Sequence, residues 1–148
     1  MTHTDPLKVL FKVADPRLRP VQATPLSAGV DLKAAAIAKI APGEKVLIST
    51  GLWVQIPAGW EGQIRSRSGL ALKNGVVVFN SPGTIDADYR GEIKVILANT
   101  STELFLVEFA MRIAQLVICP VPQVFWQETE TLEQTLRGNG GFGSTGLL

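Results

Sequence analysis

Cysteine and histidine are nearly missing from this chain. Cys119 is the only cysteine and His3 the only histidine among 148 residues. One cysteine excludes an internal disulfide and any cysteine-rich zinc site. It lies in the apolar run Leu116–Pro120, so a buried small hydrophobe is expected. His3 sits where a chain frays, which makes Ser-His or Cys-His catalysis a poor fit. If the protein is an enzyme, its general base is expected to be a carboxylate. An excess of either charge is lacking as well. The net charge is +1 and no basic or acidic block appears, which argues against broad electrostatic binding of nucleic acid. Long apolar runs are absent, and no charged-then-apolar leader opens the chain. The expectation is a cytoplasmic protein with no membrane partner.

What is present is a globular composition: 46% apolar and 18% charged residues over a length suited to one domain. Most of it reads as short strands. Leu7–Val13 opens the series, and Leu52, Val54 and Ile56 alternate with Trp53 and Gln55 at a period of two. Ile64 sits in a similar pattern. Val76–Phe79, Ile93–Ala98, Leu104–Phe109 and Ile113–Ile118 are rich in β-branched or aromatic residues. Turn signals separate them at Pro42-Gly43, Pro57-Ala58-Gly59, Asn74-Gly75, Ser81-Pro82-Gly83 and Asn99-Thr100-Ser101. Two short stretches, Ala34–Lys39 and Gly69–Lys73, have helical composition, but neither is long enough to organise the fold. The pattern predicts an all-β sandwich or jelly roll.

The character changes near Pro120. Val121–Trp126 is apolar with a second proline at 122, and Glu128–Leu136 is polar. Five glycines then fall within residues 138–146. This divides the chain into a β domain over 1–136 and a mobile tail over 137–148. The apolar stretch suits a segment that crosses onto a neighbouring subunit.

Five segments place polar chemistry where a core alone does not require it. In the tail, Arg137, Ser144 and Thr145 lie among glycines whose N–H groups can converge on an anion, and Phe142 can stack on a base. The Gly-Lys-Ser/Thr ending of a Walker loop is missing. Asp86 and Asp88 alternate around Ala87 after a tight turn; in an extended segment they share a face that suits a cation or a base. Arg65 and Arg67 alternate ahead of Ser68-Gly69, a forked cation near free N–H groups. Ala28–Leu32 and Arg112–Leu116 each hold a polar residue within an apolar run, and such residues must find partners. A disordered tail, a solvated hairpin end, a basic strand surface and structural hydrogen bonding remain open for these segments on composition alone.

Taken together and in this order, the segments resemble the five motifs of the homotrimeric dUTPase family. Ala28–Ala34 (AGVDLKA), Arg67–Lys73 (RSGLALK), Gly83–Gly91 (GTIDADYRG), Arg112–Leu116 (RIAQL) and Arg137–Gly146 (RGNGGFGSTG) carry the likeness. It implies a jelly-roll fold, a trimer with three shared sites, dUTP as substrate and Mg²⁺ as cofactor. It also implies that the glycine-rich tail of one subunit closes over a site between two others.

Residue by residue, the resemblance implies that Asp86 is the base that activates water for attack on the α-phosphorus. Tyr89 packs under the deoxyribose. Asn80 and the backbone of Gly83, Thr84 and Ile85 read the uracil edge, and Lys94 lies near the nucleotide. Arg67, Ser68 and Gly69 hold phosphates, with Gln115 reaching them, often through water. Arg137, Phe142, Gly143, Ser144 and Thr145 form the stacking and γ-phosphate clamp. Asp31 is implied to be structural, supporting the metal from behind its ligands, with Mg²⁺ itself held by the substrate phosphates. The chain departs from the family pattern at Ser66, where proline is frequent, at Ala110-Met111, where glycine usually opens the pair, and within the tail at Ser144-Thr145.

The chemistry fits these residue types. A triphosphate carries about four negative charges, which arginines, N–H groups and a divalent cation offset. A fixed backbone edge accepts uracil and leaves unpaired groups against cytosine. Excluding thymine requires steric overlap, because a loose pocket distinguishes one methyl by only about 1–3 kcal/mol. Ordering a ten-residue lid costs on the order of 10 kcal/mol, offset by stacking and phosphate contacts. Two rival readings share the scaffold. A dCTP deaminase resembles the chain less at Asp86–Tyr89, and a non-catalytic nucleotide sensor has no need of Asp86, Tyr89 and the full tail.

Overall fold

A computed structural model describes residues 6–141 of the chain. Eleven strands are described: β1 (Leu10–Val13), β2 (Val21–Gln22), β3 (Gly29–Lys33), β4 (Ala38–Ile40), β5 (Lys45–Gln55), β6 (Trp60–Arg65), β7 (Val76–Val78), β8 (Gly83–Ile85), β9 (Ile93–Asn99), β10 (Phe105–Val107) and β11 (Arg112–Pro120). One short helix, α1 (Ser68–Asn74), and a 3₁₀ turn at Pro16–Leu18 complete the set. The strands form antiparallel sheets in the orders β1-β5-β9-β7 and β2-β3-β11-β6-β8, with β10-β4 as a small third sheet. From β5 to β9 the chain passes from one large sheet to the other at every step. Sequence neighbours therefore face each other across the core and do not pair, which is the expected jelly-roll arrangement.

The core lies between the two large sheets. Ile48, Leu52, Val54, Val76, Val78, Ile93, Val95 and Leu97 come from one; Leu32, Ile64, Ile113, Ala114 and Leu116 come from the other. Burying each large aliphatic side chain is worth about 1.5–3 kcal/mol. The alternation read at 52, 54 and 56 is this core face: all three are buried. Two polar side chains are buried with them. Asn99 donates to the Ile40 and Glu103 carbonyls at 2.9 and 2.7 Å, and its Oδ1 accepts from Ser101. Thr50 donates to the Ile93 carbonyl. Among the described residues no buried side-chain polar atom lacks a partner, as the cost of an unmade bond requires.

Several expectations are corrected. Ala34–Lys39 is not helical: the Ala34 and Ala35 N–H groups are committed to the Met111 and Ser49 carbonyls, and β4 begins at Ala38. Tertiary pairing overrides the alanine preference. Gly69–Lys73 does form a helix, α1, which stops where Gly75 turns left-handed at φ 64° and its N–H closes on Ala71 and Leu70. The first strand begins at Leu10, three residues later than the apolar pattern suggests. Leu104–Phe109 shortens to Phe105–Val107, because Glu108 to Met111 forms a turn. Cys119 is only half-buried, with Sγ 3.8 Å from the Arg65 guanidinium; it lies one residue from the end of β11. No helix among the described residues is long and apolar enough to cross a membrane.

Beyond Pro120 no strand or helix is described. The Val121 N–H bonds the Gly59 carbonyl at 2.8 Å, and from there Val124, Phe125 and Trp126 are exposed at 62%, 87% and 88%. Three large apolar side chains left in solvent by their own chain fit a segment that packs elsewhere.

Candidate active site

β6 organises the site: Asp86 follows its neighbour β8, Gln115 lies on its other neighbour β11, and Arg67 follows β6 itself. On one side it pairs with β8, with Ile64 opposite Gly83 and Gly62 opposite Ile85. Asp86 follows β8 directly and so stands level with Glu61. On the other side β6 pairs with β11, with Arg65 opposite Gln115. Asp86 and the Arg67 loop therefore lie toward opposite ends of β6. The span from the Glu61 row to the Arg65 row is about 13 Å at roughly 3.3 Å per residue.

Along the β8 side, the tip between β7 and β8 places Asn80 over Gly83, opposite Ile64: a Cβ at Gly83 would lie 3.2 Å from Asn80 Nδ2. Gly83 is buried and Thr84 exposed. Thr84, Ile85, Asp86, Tyr89, Glu92 and Lys94 line a cavity of about 260 Å³. Asp86 also borders a second cavity of about 300 Å³ with Trp60, Glu61 and the root of the C-terminal segment at Val121–Gln123. The Asp86 carboxylate is exposed and has no hydrogen-bond partner among the described residues. Its carbonyl accepts from the Tyr89 N–H at 3.1 Å, so residues 86–89 turn. Asp86 and Asp88 consequently do not share an extended face, contrary to expectation. Arg90 closes that turn by donating to the Ala87 and Tyr89 carbonyls.

At the second end, Asp31 is the hub. Its Oδ1 accepts from Arg67 Nε at 3.0 Å and its Oδ2 from Arg112 Nη1 at 3.3 Å; Arg67 also donates to the Arg112 carbonyl. The Asp31 side chain is only 16% exposed, so two guanidinium groups offset a largely desolvated carboxylate. Arg65 does not join Arg67. It turns back along β6 to Gln63 Oε1 at 2.6 Å, because β6 ends between the two arginines and breaks their shared facing. Gln115 donates to the Ser66 carbonyl at 2.9 Å, and Ser68 and Gly69 are exposed at the start of α1. The polar residues flagged within apolar runs, Asp31 and Gln115, thus do have structural partners.

Three residues at this site make contacts that their sequence did not announce. Ser66 stands where proline is frequent in the resembling family, and its hydroxyl accepts the Val78 N–H at 2.8 Å, a bond no proline supplies. Glu92 accepts the Gly51 N–H at 2.8 Å and lies 4.0 Å from Lys94 Nζ. Arg112 was noted only as part of a motif, although its cation sits inside a β-rich run. Ala110, two residues before it, adopts φ 61°, the conformation that the glycine usual there in the resembling family takes without strain.

Among the described residues the Arg137 side chain donates to the Gly140 carbonyl at 2.8 Å. Phe142, Gly143, Ser144 and Thr145, like His3, lie outside the described residues. Away from the site, one carboxyl is perturbed by a neighbouring arginine. Asp15 is held at about 2, against an ordinary 3.8, by hydrogen bonds from the Arg17 side chain and N–H; it caps the Pro16–Leu18 turn. Among the described residues no group of three or more His, Cys, Asp and Glu side chains is arranged to hold a metal.

Comparison with known proteins agrees with this geometry. A Rickettsia bellii protein named deoxyuridine 5'-triphosphate nucleotidohydrolase is 58% identical over 130 residues, covering 86% of this chain and 87% of its own. A Rhizobium etli protein of the same name is 54% identical over 125 residues, covering 82% and 80%. Among solved structures, a mutant Staphylococcus bacteriophage 80alpha dUTPase with dUpNHpp superimposes with a TM-score of 0.82 at 29% identity, covering 95% of this chain and 99% of its own. Residues 18–146 match the dUTPase family profile, and with a span that takes in all five segments and both ends of β6, the chain belongs to the dUTPase family.

Proposed function

We propose that this protein hydrolyses dUTP to dUMP and pyrophosphate, which limits uracil entry into DNA and supplies dUMP for thymidylate synthesis. The observation that carries the reading is the cavity lined by Thr84, Ile85, Asp86, Tyr89, Glu92 and Lys94, with an Asp86 carboxylate that has no hydrogen-bond partner among the described residues. Asp86 accepts a proton from water as the water oxygen bonds the α-phosphorus. The bond from that phosphorus to the bridging oxygen breaks, and the electron pair leaves with pyrophosphate. General-base assistance of this kind contributes about 10²–10⁴ in rate. Asn80 and the backbone of Gly83, Thr84 and Ile85 read uracil. Tyr89 lies under the deoxyribose, and Lys94 lies beside the nucleotide.

The phosphates fall to Arg67, Ser68, Gly69 and Gln115, with Arg137, Phe142, Gly143, Ser144 and Thr145 closing from the tail, residues 137–148. When bound with the substrate, Mg²⁺ would supply charge neutralisation on the triphosphate. Both Asp31 oxygens are taken by Arg67 and Arg112, so the ion would be held by the substrate phosphates, and Asp31 acts through Arg67. The opposed placement of Asp86 and Arg67 along β6 supports a homotrimer in which different subunits supply the two halves of each site. The exposed Val124, Phe125 and Trp126 support packing of the segment over 121–126 on a neighbour. We place the enzyme in the cytoplasm, with neither nucleic acid nor membrane as partner.

Pyrophosphate release measured side by side with dUTP, dCTP, dTTP and UTP tests the reading. Turnover of dUTP alone is expected; ammonia release from dCTP, or equal turnover of all four, contradicts it.

A further inference from the structure

We infer that Gly91 is a specificity-determining position, where the missing side chain seats the Tyr89 ring and so sets discrimination between deoxyribose and ribose. The inference rests on the reading of Tyr89 as the surface under the sugar. A Cβ built on Gly91 would lie 2.5 Å from Tyr89 Cζ, 2.9 Å from Cε2 and closer still to the hydroxyl. Among the described glycines, this is the one whose three nearest contacts all belong to one side chain and all fall below 3.0 Å. The aromatic ring thus occupies the volume that any other residue at 91 fills. Gly91 has no left-handed φ, so the requirement is for space and not for backbone freedom.

Little else holds the ring. Tyr89 is 43% exposed. Its hydroxyl donates to the Glu92 carbonyl at 2.9 Å, and its N–H bonds the Asp86 carbonyl. Glu92 is in turn anchored to Gly51 in β5. Platform and base are thereby parts of one turn, clamped to the sheet at Glu92 and relieved of a clash at Gly91. A methyl at 91 can be accommodated by swinging the half-exposed ring outward, at no cost to the core. The ring then no longer closes the space where a 2′-hydroxyl would sit, while Asp86, which leads into the turn, keeps its place.

The test combines discrimination with a direct probe of the ring. Tyr89 is the only tyrosine in the chain, so fluorotyrosine labelling gives one ¹⁹F resonance. Gly91→Ala is expected to shift that resonance, keep a cooperative melt, and lower the ratio of kcat/KM for dUTP over UTP at least tenfold. KM for dUTP should rise more than kcat falls. In a Tyr89→Ala background the same substitution should change the ratio less than twofold, because its effect passes through the ring. An unshifted resonance, a ratio within twofold of wild type in Gly91→Ala, or an equal drop in both backgrounds overturns the inference. Wild-type protein that hydrolyses dUTP and UTP alike would instead remove the reading of Tyr89 itself.

Discussion

Two aspartates at opposite ends of β6 face opposite demands. Asp31 is mostly covered and gives both oxygens to arginines. Asp86 is exposed and has no side-chain partner among the described residues. A carboxylate whose lone pairs are filled by guanidinium hydrogens is a strut: it fixes Arg67 in direction and leaves its remaining N–H groups for an anion. A carboxylate with free lone pairs beside a cavity can take a proton from water. Residue type does not distinguish the two roles; the surroundings do.

Removing each aspartate should separate the roles. Asp86→Asn should lower kcat for dUTP by about 10²–10⁴ and leave the melting temperature and dUTP affinity nearly unchanged, measured by steady-state kinetics, calorimetry and titration. Near-normal turnover would deprive Asp86 of its part. Deleting residues 137–148 should cost on the order of 100-fold or more in turnover by loss of positioning, with oligomer mass in light scattering unchanged. Dissociation or unfolding of the truncated protein would assign the segment to structure.

Asp31→Ala should behave differently from Asp86→Asn. It leaves two arginines facing each other and is expected to cost about 1–3 kcal/mol in denaturant unfolding, with kcat/KM falling through Arg67. Loss of activity without loss of stability would make Asp31 a chemical group after all. The smallest effect is expected at the turn leading into Arg112. Ala110→Gly removes a left-handed alanine, and should raise stability by up to about 1 kcal/mol. A destabilised variant would mean that the turn has another conformation.

Much of this was legible in the chain. Alternation at Leu52, Val54 and Ile56 marked a core face, Asn74-Gly75 marked the end of α1, and Asp31 and Gln115 stood out as polar residues needing partners. The errors share a cause, since local pattern does not know where a strand ends. Arg65 and Arg67 read as one face because β6 was taken to continue. Asp86 and Asp88 read the same way because the Asp86–Tyr89 turn, made by one backbone bond and closed by Arg90, is not visible in the alternation of the two carboxylates. Ala34–Lys39 has helical composition, but distant carbonyls at Ser49 and Met111 claim its N–H groups. The bonds made by Ser66 and Glu92 were not foreseen because each acts on the backbone of another strand, at Val78 and Gly51. Gly91 matters through a side chain two residues away that folds back on it, which spacing alone does not reveal.

Division of the site between subunits is tested most directly by complementation. Asp86→Asn and Arg67→Ala chains, each nearly inactive alone, can be co-expressed with different tags and purified as mixed oligomers. If one subunit supplies the base and its neighbour the phosphate loop, about one third of the sites in a mixed cyclic trimer are free of either substitution, and dUTP turnover returns to that fraction of wild type. Mixed oligomers no more active than the two variants alone would contradict the account, because every site would then lie within a single chain.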